Sequence, residues 1–489
     1  MIQLNKDFAF VTESVNEAHI NVPNPKYIKR AIELHLQNRS RLSKLYNYYI
    51  GKQDILNREQ KDPYLPNNRA VYNNAKNITD TSVGYVFGQP IQYNNLPDEV
   101  MDLFTVINED THNVEMGINM SIYGKAIELL YCDTEVYGEN KVVPNLVALD
   151  PLNSFVVYDT SLSPKPVMGI VYGENRDLDD TLVDYSITVY TEDINYQYRV
   201  KTLDSVNYRR VGAEVNQFDG IPMIEVYNNK YETGDFECVL GLLDAYNLLM
   251  NDRVNDKESF VNSLLVLTGM NIGDTESEAS ATGRWINENG MVICENDNAD
   301  AKYISRTLTE SDVEVLRKAI VEDIHMISMI PNMTDENFAS GQSGEAMQYK
   351  LLGFENLAKK KEQQFKELLR KRLKVMNGLP IINIDLPIVD IKMNRALPVS
   401  LDDRLKELQG TDGYLSLETR LRNYDPDLDI DEEMKRIAKE KEEKNKQMAT
   451  AYGNYNFPLD NKPIGQNVSE EDKEMKDTEE EKDTEDTEE

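Results

Sequence analysis

Cysteine, histidine and long apolar runs are all scarce in this sequence of 489 residues. The three cysteines, Cys132, Cys238 and Cys294, are far apart and form no CxxC pair, which argues against a disulfide framework or a structural zinc site. The longest apolar runs, such as Leu264–Leu267, are too short to cross a bilayer. The N-terminus lacks the basic region and apolar core of a signal peptide. These absences favour a soluble protein of a reducing cytosol.

Motifs of the common enzyme classes are also missing. The sequence contains no GxxxxGK[ST] loop, no GxGxxG and no HExxH, and the GQSG run at Gly341–Gly344 has the wrong spacing for GxSxG. A D-x-D-x-D run at Asp427–Asp431 resembles the start of a calcium loop. However, Glu432 replaces the required glycine and Ala438 replaces the final glutamate. We therefore predict no active site, cofactor or metal; a metal-dependent nuclease is the enzymatic alternative.

Basic residues are too few to balance the acidic ones, 53 against 86, so the formal net charge is −33. The last 21 residues, from Ser469, hold 13 acidic and 3 basic groups, which leaves the rest of the chain acidic in its own right. Tight binding to nucleic acid depends on Lys and Arg replacing condensed counterions. The charge argues against a static nucleic-acid complex but is compatible with DNA that must keep moving.

The N-terminal half contains helices followed by strands. Periodicity and stop residues predict helices over Pro25–Ile50, over Asn68–Val86, from Pro97 to about Glu109, and over Val114–Tyr123. From Ala126 to Tyr227, short segments rich in tyrosine and β-branched residues alternate with turn residues. This pattern predicts a mostly antiparallel β domain packed on the helices.

Three long helices are predicted further along. The first runs from Asp235 to about Met270, on the order of 50 Å at about 1.5 Å per residue. The second runs from Thr309 to Met329, with a T-x-x-D capping box and an apolar stripe. The third is Gly344–Met376, and a strand-like stretch, Leu379–Met393, follows it. The stripe of the second helix consists of Val313, Leu316, Ile320, Ile324 and Ile327.

An ordered series of segments resembles the portal proteins, the head–tail connectors of tailed double-stranded DNA phages, in the branch common in siphophages of Gram-positive hosts. The segments are LYNYYIGKQDILNR (Leu45–Arg58), NITDTSVGYVFGQPI (Asn77–Ile91), YGKAIELLYCD leading to VALDPLNSFVVYD (Tyr123–Asp159), TGDFECVLGLLDAYNLLMNDRVNDKESFVNSLLVLTG (Thr233–Gly269) and SGEAMQYKLLGFENLAKKKE (Ser343–Glu362). The series covers about residues 25 to 395. The region after Ser400 and the acidic tail match poorly.

The resemblance implies an α+β fold divided into wing, stem, clip and crown. The implied parts are a helical and β-rich wing (1–234), stem helices (235–269 and 309–330), a small α/β clip (270–308), a tunnel loop (331–343), a long wing helix with a following strand (344–399), a helical crown (400–447) and a disordered acidic tail (448–489).

It also implies a non-enzymatic function. Family members form a ring, usually of twelve subunits, at one capsid vertex of the virion, and double-stranded DNA passes through it without sequence-specific binding. The implied partners are the large terminase, the head–tail adaptor, and the major capsid and scaffolding proteins, with assembly in the host cytoplasm and no membrane. In the clip, Arg284, Trp285 and Asn287 are the candidate partner contacts. A scaffolding or adaptor protein without a DNA conduit is the alternative.

The loop of 13 residues at Pro331–Ser343 exceeds an ordinary helix–helix connection, and such loops are more often functional than structural. Neutral amides and acidic groups there would contact DNA without binding it tightly. A simple disordered connector is the alternative. The candidate channel residues are Asn332, Thr334, Asp335, Glu336, Asn337, Ser340 and Gln342.

Two polar groups on the long helices are candidates for the channel or for contacts between subunits. The polar middle of the first helix cannot lie in an apolar core. The basic cluster of the third could face DNA, pair with a neighbouring subunit or be a solvated helix face. The residues are Asn251, Asp252, Arg253, Asn255 and Lys257 in the first helix, and Lys359, Lys360, Lys361, Arg370 and Lys371 in the third.

Overall fold

The computed structural model describes residues 23–60, 65–133, 143–159, 161–261, 264–268, 275–289, 300–304, 310–332, 344–380, 382–395, 408–411, 413–424 and 430–452. The chain divides into two compact units, 1–397 and 398–489. Helices and antiparallel strands both build the first unit, which confirms the α+β prediction. In the described part of the chain, no helix is long and apolar enough to span a membrane.

The N-terminal helix, α1 (Pro25–Tyr49), has the predicted extent. Asn24 caps it by accepting a hydrogen bond from the Lys26 N–H, and Pro25 occupies the first turn, where no amide hydrogen is needed. The chain leaves the helix through Gly51, whose φ of +83° favours glycine. The next helices are α2 (Asn74–Phe87), α3 (Asp98–Val106) and α4 (Glu109–Tyr123).

Helix α2 begins six residues later than predicted. The residues before it, 68–72, are extended rather than helical, because a neighbouring helix takes up their backbone hydrogen bonds, as described below. A short strand, β1 (Gln92–Asn94), follows α2.

Two antiparallel sheets follow, which confirms the predicted β domain. The strands are β2 (Lys125–Asp133), β3 (Val143–Leu149), β4 (Ser154–Tyr158), β5 (Pro166–Arg176), β6 (Leu182–Tyr190), β7 (Ile194–Val200), β8 (Arg209–Val215) and β9 (Met223–Tyr227). A three-stranded sheet has the order β3-β2-β9, and a five-stranded meander runs from β4 to β8. The first turns of α1, through Ile28 and Ile32, share a core with Phe155 and Ile170 of the meander.

His35 lies in that core as a structural residue. Its ring stacks on Phe155 at 4.7 Å and forms hydrogen bonds with the Tyr172 hydroxyl, at 2.8 Å, and the Pro151 carbonyl oxygen, at 2.9 Å. Burial, and next the charge of Lys125, lower the pKa of His35 to about 3, so the imidazole is neutral at ordinary pH.

The predicted continuous helix from Asp235 to Met270 is wrong at both ends. A short 3₁₀ turn, Glu237–Val239, precedes α5 (Leu240–Val261), and residues 264–268 form a strand, β10 (Leu264–Thr268). Its aliphatic and β-branched residues favour extended backbone. This strand pairs antiparallel with β11 (Asp300–Ile304).

Between β10 and β11 lies α6 (Glu276–Asn289), and after them α7 (Glu310–Ser328) packs beside α5. The predicted capping residue Thr309 lies outside the described residues.

The predicted helix Gly344–Met376 is confirmed as α8 (Gly344–Met376). It crosses the largest core of the first unit and packs against α2 and β9. The predicted strand-like stretch after it is mostly irregular: a 3₁₀ turn, Leu386–Ile388, precedes β12 (Asp390–Lys392), which pairs with β1.

In the second unit, α9 (Leu417–Tyr424) and α10 (Ile430–Tyr452) confirm the predicted helical character. The predicted disordered tail, 448–489, is wrong at its start, because α10 continues through residues 448–452. The rest of the tail lies outside the described residues, as do Asp427 and Asp429.

Candidate functional site

Three asparagines on one face of α5 bind an extended segment of the chain. Asn247, Asn251 and Asn255 accept hydrogen bonds from the backbone N–H groups of Tyr72 (2.8 Å), Ala70 (2.7 Å) and Asn68 (2.8 Å). Four residues of helix advance by about 6.0 Å and two residues of extended chain by about 6.6 Å, so the two repeats nearly coincide. We call these three pairs the asparagine ladder.

The ladder corrects the prediction for Asn251 and Asn255. Their exposed fractions are 0% and 8%, so neither faces a channel or another subunit. Asn251 also donates to the Ala70 carbonyl oxygen at 2.8 Å. The predicted conflict between a polar helix and an apolar core is resolved because the amides satisfy backbone groups that the extended segment cannot pair by itself.

Two further residues of the polar middle form ion pairs within the chain. Asp252 pairs with Arg58 at 2.7 Å, and Arg253 pairs with Glu314 of α7 at 3.1 Å. Both pairs are partly exposed, so they remain near enough to solvent to reorganise. Lys257 is exposed.

Lys361 is not a channel residue but part of the core, with 1% of its surface exposed. Its ammonium group donates to the Asp235 carboxylate at 2.6 Å and to the Ser82 hydroxyl at 2.8 Å. Asp235 also accepts hydrogen bonds from Ser121 and Asn228. Burial alone would raise the pKa of Asp235, but the charge of Lys361 and these donors hold it below its ordinary value. The predicted DNA or subunit contact is therefore wrong for Lys361.

A second buried cluster holds α8 near its C-terminal end. The guanidinium of Arg372, a member of the same basic run, is fully buried and donates to Glu128 of β2 and to Glu109 of α4. Glu128 is also within 2.8 Å of His112. Burial would raise the pKa of Glu128, yet the charge of Arg372 and the contact with His112 lower it to about 2. The cluster fixes α8 to the wall formed by α4 and β2.

The other predicted basic residues of α8 are exposed. Lys359 and Lys371 form pairs one turn apart with Glu355 (4.0 Å) and Glu367 (2.8 Å), and Lys360 and Arg370 point to solvent. These four are the members of the predicted cluster that remain accessible for DNA or for another subunit.

Of the seven candidate channel residues in the predicted tunnel loop, Asn332 lies in the described part, where it is half-buried. Thr334, Asp335, Glu336, Asn337, Ser340 and Gln342 lie outside it. The chain enters the loop from a fixed point: Met329 has φ +59°, Ile330 is buried, and the Ile330 carbonyl oxygen is 2.9 Å from the His325 ring.

Exposed apolar side chains are concentrated on α7. Of the predicted stripe, Ile324 is buried and Val313 and Ile320 are half-buried, whereas Leu316 and Ile327 are 50% and 46% exposed. Two exposed residues beside this stripe, Val315 and Met326, were not predicted. The exposed set, which we call the stem patch, is Val315, Leu316, Met326, Ile327 and Met329 at and after α7. Such a concentration is typical of a surface that binds protein.

In the predicted clip, α6 presents Arg284 and Trp285 to solvent, with 42% of the Trp285 surface exposed. The side chain of Asn287 lies outside the described residues. Trp and Arg are enriched at the centres of protein interfaces, so this face is suited to a partner. Among the described residues, no group of three or more His, Cys, Asp or Glu side chains could hold a metal ion.

A family model described as phage portal protein, SPP1 Gp6-like, matches residues 28–447. A search of curated proteins found no significant match. Among solved structures, the chain is similar to one described as the virion of native gene transfer agent (GTA) particle (13% identity, 78% of this chain and 91% of that chain, TM-score 0.39). Another is described as the neck of empty GTA particle computed with C6 symmetry (13% identity, 78% and 92%, TM-score 0.40).

Proposed function

Since this chain belongs to the SPP1 Gp6-like family of phage portal proteins, we propose that it forms a ring of about twelve subunits at one vertex of a capsid. In this proposal, double-stranded DNA is packaged and ejected through the ring, and the ring nucleates capsid assembly. The sequence segments quoted above support a phage of the siphophage type with a Gram-positive host, and assembly in its cytoplasm.

The observation that carries the ring is the stem patch. Val315 and Met326 are each 69% exposed, although α7 has a buried apolar side elsewhere. By contrast, most polar residues in the middle of α5 already form hydrogen bonds or ion pairs within their own chain, so they do not need a second copy for them. The apolar stem patch is therefore the part of the stem that gains most from contact with a second copy.

The conduit role is supported by charge. A ring repeats every carboxylate of a chain once per subunit, so an acidic channel repels phosphates from all sides. Sliding requires a weak and even potential, because each fixed phosphate contact adds affinity. In the proposal, the loop 331–343 touches DNA, and Arg284 and Trp285 in the clip bind the terminase and later the head–tail adaptor.

Imaging of the purified protein tests the ring. We expect closed rings of roughly twelve copies with a central hole, seen by negative-stain electron microscopy and weighed by native mass spectrometry. Monomers or open chains under packaging conditions would overturn the portal role. A different pair of results would support the scaffolding or adaptor alternative. In that case the protein forms rings, but particles assembled without it still fill with DNA.

A further inference from the structure

A cavity of about 330 Å³ opens between α1, α4 and the chain just after β3. Its lining includes Tyr46 of α1, Glu115, Asn119 and Tyr123 of α4, and Asp150. Glu115, Asn119 and Tyr123 are spaced four residues apart, which places them along one face of their helix. None of these residues takes part in the ladder, the buried ion pairs or the stem patch.

Two tyrosines form an aromatic wall of the cavity. The rings of Tyr46 and Tyr123 are nearly parallel, with an angle of 9° and a centroid separation of 6.3 Å. Tyr123 is buried, whereas Tyr46 is 40% exposed. A partly exposed tyrosine ring supported from behind is a suitable platform for a cation, which the negative charge of the ring face attracts.

Asp150 is held in place but keeps one oxygen for a ligand. Its Oδ1 accepts hydrogen bonds from the Tyr123 hydroxyl at 3.3 Å and from the Leu152 N–H at 2.9 Å. Within the described residues, Oδ2 accepts none. Because two donors fix the carboxylate, a ligand would not need to order it on binding.

Glu115 and Asn119 are also uncommitted. Neither side chain forms a hydrogen bond or an ion pair with any other residue that the structure describes, and no Lys or Arg is among the described residues lining the cavity. The cavity therefore combines two carboxylates without an opposing charge, an amide oxygen and an aromatic wall.

We propose that this cavity binds a guanidinium cation. A guanidinium group is planar, so it can stack on a tyrosine ring while its five N–H groups donate to carboxylates at its edge. An ammonium group carries the same charge but cannot stack in this way. The cation is either a free small molecule or an arginine side chain of a second copy of this chain, and both sources share this chemistry.

Titration of argininamide tests the proposal, at about 0.15 M salt to screen non-specific attraction to an acidic protein. Binding is measured by calorimetry on unassembled subunits and on assembled rings. We expect saturable binding, with lysinamide at least several-fold weaker. Glu115→Gln should weaken binding roughly tenfold, since it removes a charged acceptor. Asp102→Asn, an exposed acid on α3, is the matched control and should bind as the unmodified chain does.

The two preparations distinguish the source of the cation. Binding to subunits and rings alike indicates a free cation, whereas binding to subunits alone indicates that an arginine of a neighbouring copy fills the cavity in the ring. Absence of saturable binding to either preparation overturns the proposal. Equal binding by the unmodified chain and by Glu115→Gln also overturns it, and because Glu115 is exposed and uncommitted, this variant should fold normally.

Discussion

The Lys361 ammonium group and the Asp235 carboxylate form an ion pair of 2.6 Å, with 1% and 0% of the two side chains exposed. Asp235 lies two residues before the 3₁₀ turn that leads into α5, and Lys361 lies in the middle of α8. The pair therefore joins the start of the stem to the long helix behind it. The preceding residue, Gly234, has no room for a side chain, since an added Cβ would clash with the Ile122 carbonyl oxygen.

Removing one partner of this pair should be strongly destabilising. Asp235→Asn leaves the Lys361 charge buried without its counter-ion, and we expect a loss of about 3–5 kcal/mol in the free energy of unfolding. Urea unfolding of the variant measures it. Lys360→Met, one residue from Lys361 and exposed, is the control and should change stability little. A loss below 1 kcal/mol for Asp235→Asn would contradict the buried pair.

The asparagine ladder predicts a local effect on the extended segment. Asn251→Ala removes the partners of both the N–H and the C=O of Ala70, which should cost about 2 kcal/mol or more because both backbone groups lose their hydrogen bonds. Hydrogen exchange measured by mass spectrometry should be faster in peptides covering 68–72. Asp256→Ala, on the same helix but outside the ladder, should leave exchange there unchanged.

Acid should weaken the cluster around Arg372. The pKa of Glu128 is lowered to about 2 in the folded chain from an ordinary 4.5, so its carboxylate contributes stability above about pH 4.5. That contribution is lost as the pH falls from 4.5 towards 2. Glu128→Gln should lower stability at pH 7 and flatten this part of the curve of urea midpoint against pH. If Glu99→Gln, an exposed control, flattens it equally, the assignment to Glu128 is wrong.

The stem patch predicts an effect on assembly rather than on folding. Val315→Glu or Met326→Glu places a charge where apolar contact with a second copy is expected, and should weaken ring formation roughly tenfold or more. Light scattering over a concentration series measures it, and circular dichroism checks the fold. Leu178→Glu is the control, because Leu178 is fully exposed on the β5–β6 connection.

The tunnel loop can be tested without shortening it. Replacing Asn332–Gln342 by a Gly/Ser segment of equal length should leave rings intact, because Ile330 and the α8 core residues that hold both flanks are unchanged. DNA packaging or retention should fall, measured as protected genome per particle. Normal infectious titres after the replacement would count against a role for the loop.

Sequence periodicity predicted the helices well where they end at clear stop signals. The bounds of α8 follow from the small and polar residue types before Gly344 and from Asn377-Gly378 after it. The strand β10 was missed because a short aliphatic run has no periodicity that separates strand from helix. Its partner, β11, lies more than thirty residues further along the chain, so only the fold identifies it.

The accessible and buried members of the basic cluster could have been separated from sequence. The buried side of α8 repeats at alternating steps of four and three residues, and Lys361 and Arg372 fall in step with its apolar members. These positions are Phe354, Ala358, Lys361, Phe365, Leu368 and Arg372. Which acids neutralise the two cations could not be predicted, since Asp235, Glu109 and Glu128 are distant in sequence and only the packing brings them together.

The asparagine ladder is limited to three rungs by helix pitch and by sequence. Each rung adds about 6.0 Å on α5 and about 6.6 Å on the extended segment, so the two chains move out of phase by about 0.6 Å per step. Three rungs centred on Asn251 keep the outer ones within about 0.6 Å of alignment, which hydrogen bonds tolerate. A fourth and fifth would be displaced by about 1.2 Å. The next positions in the series also lack the groups for pairing, since Leu243 of α5 has no side-chain amide and Pro66 of the segment has no N–H. The three rungs together therefore fix one position of the extended segment along the helix.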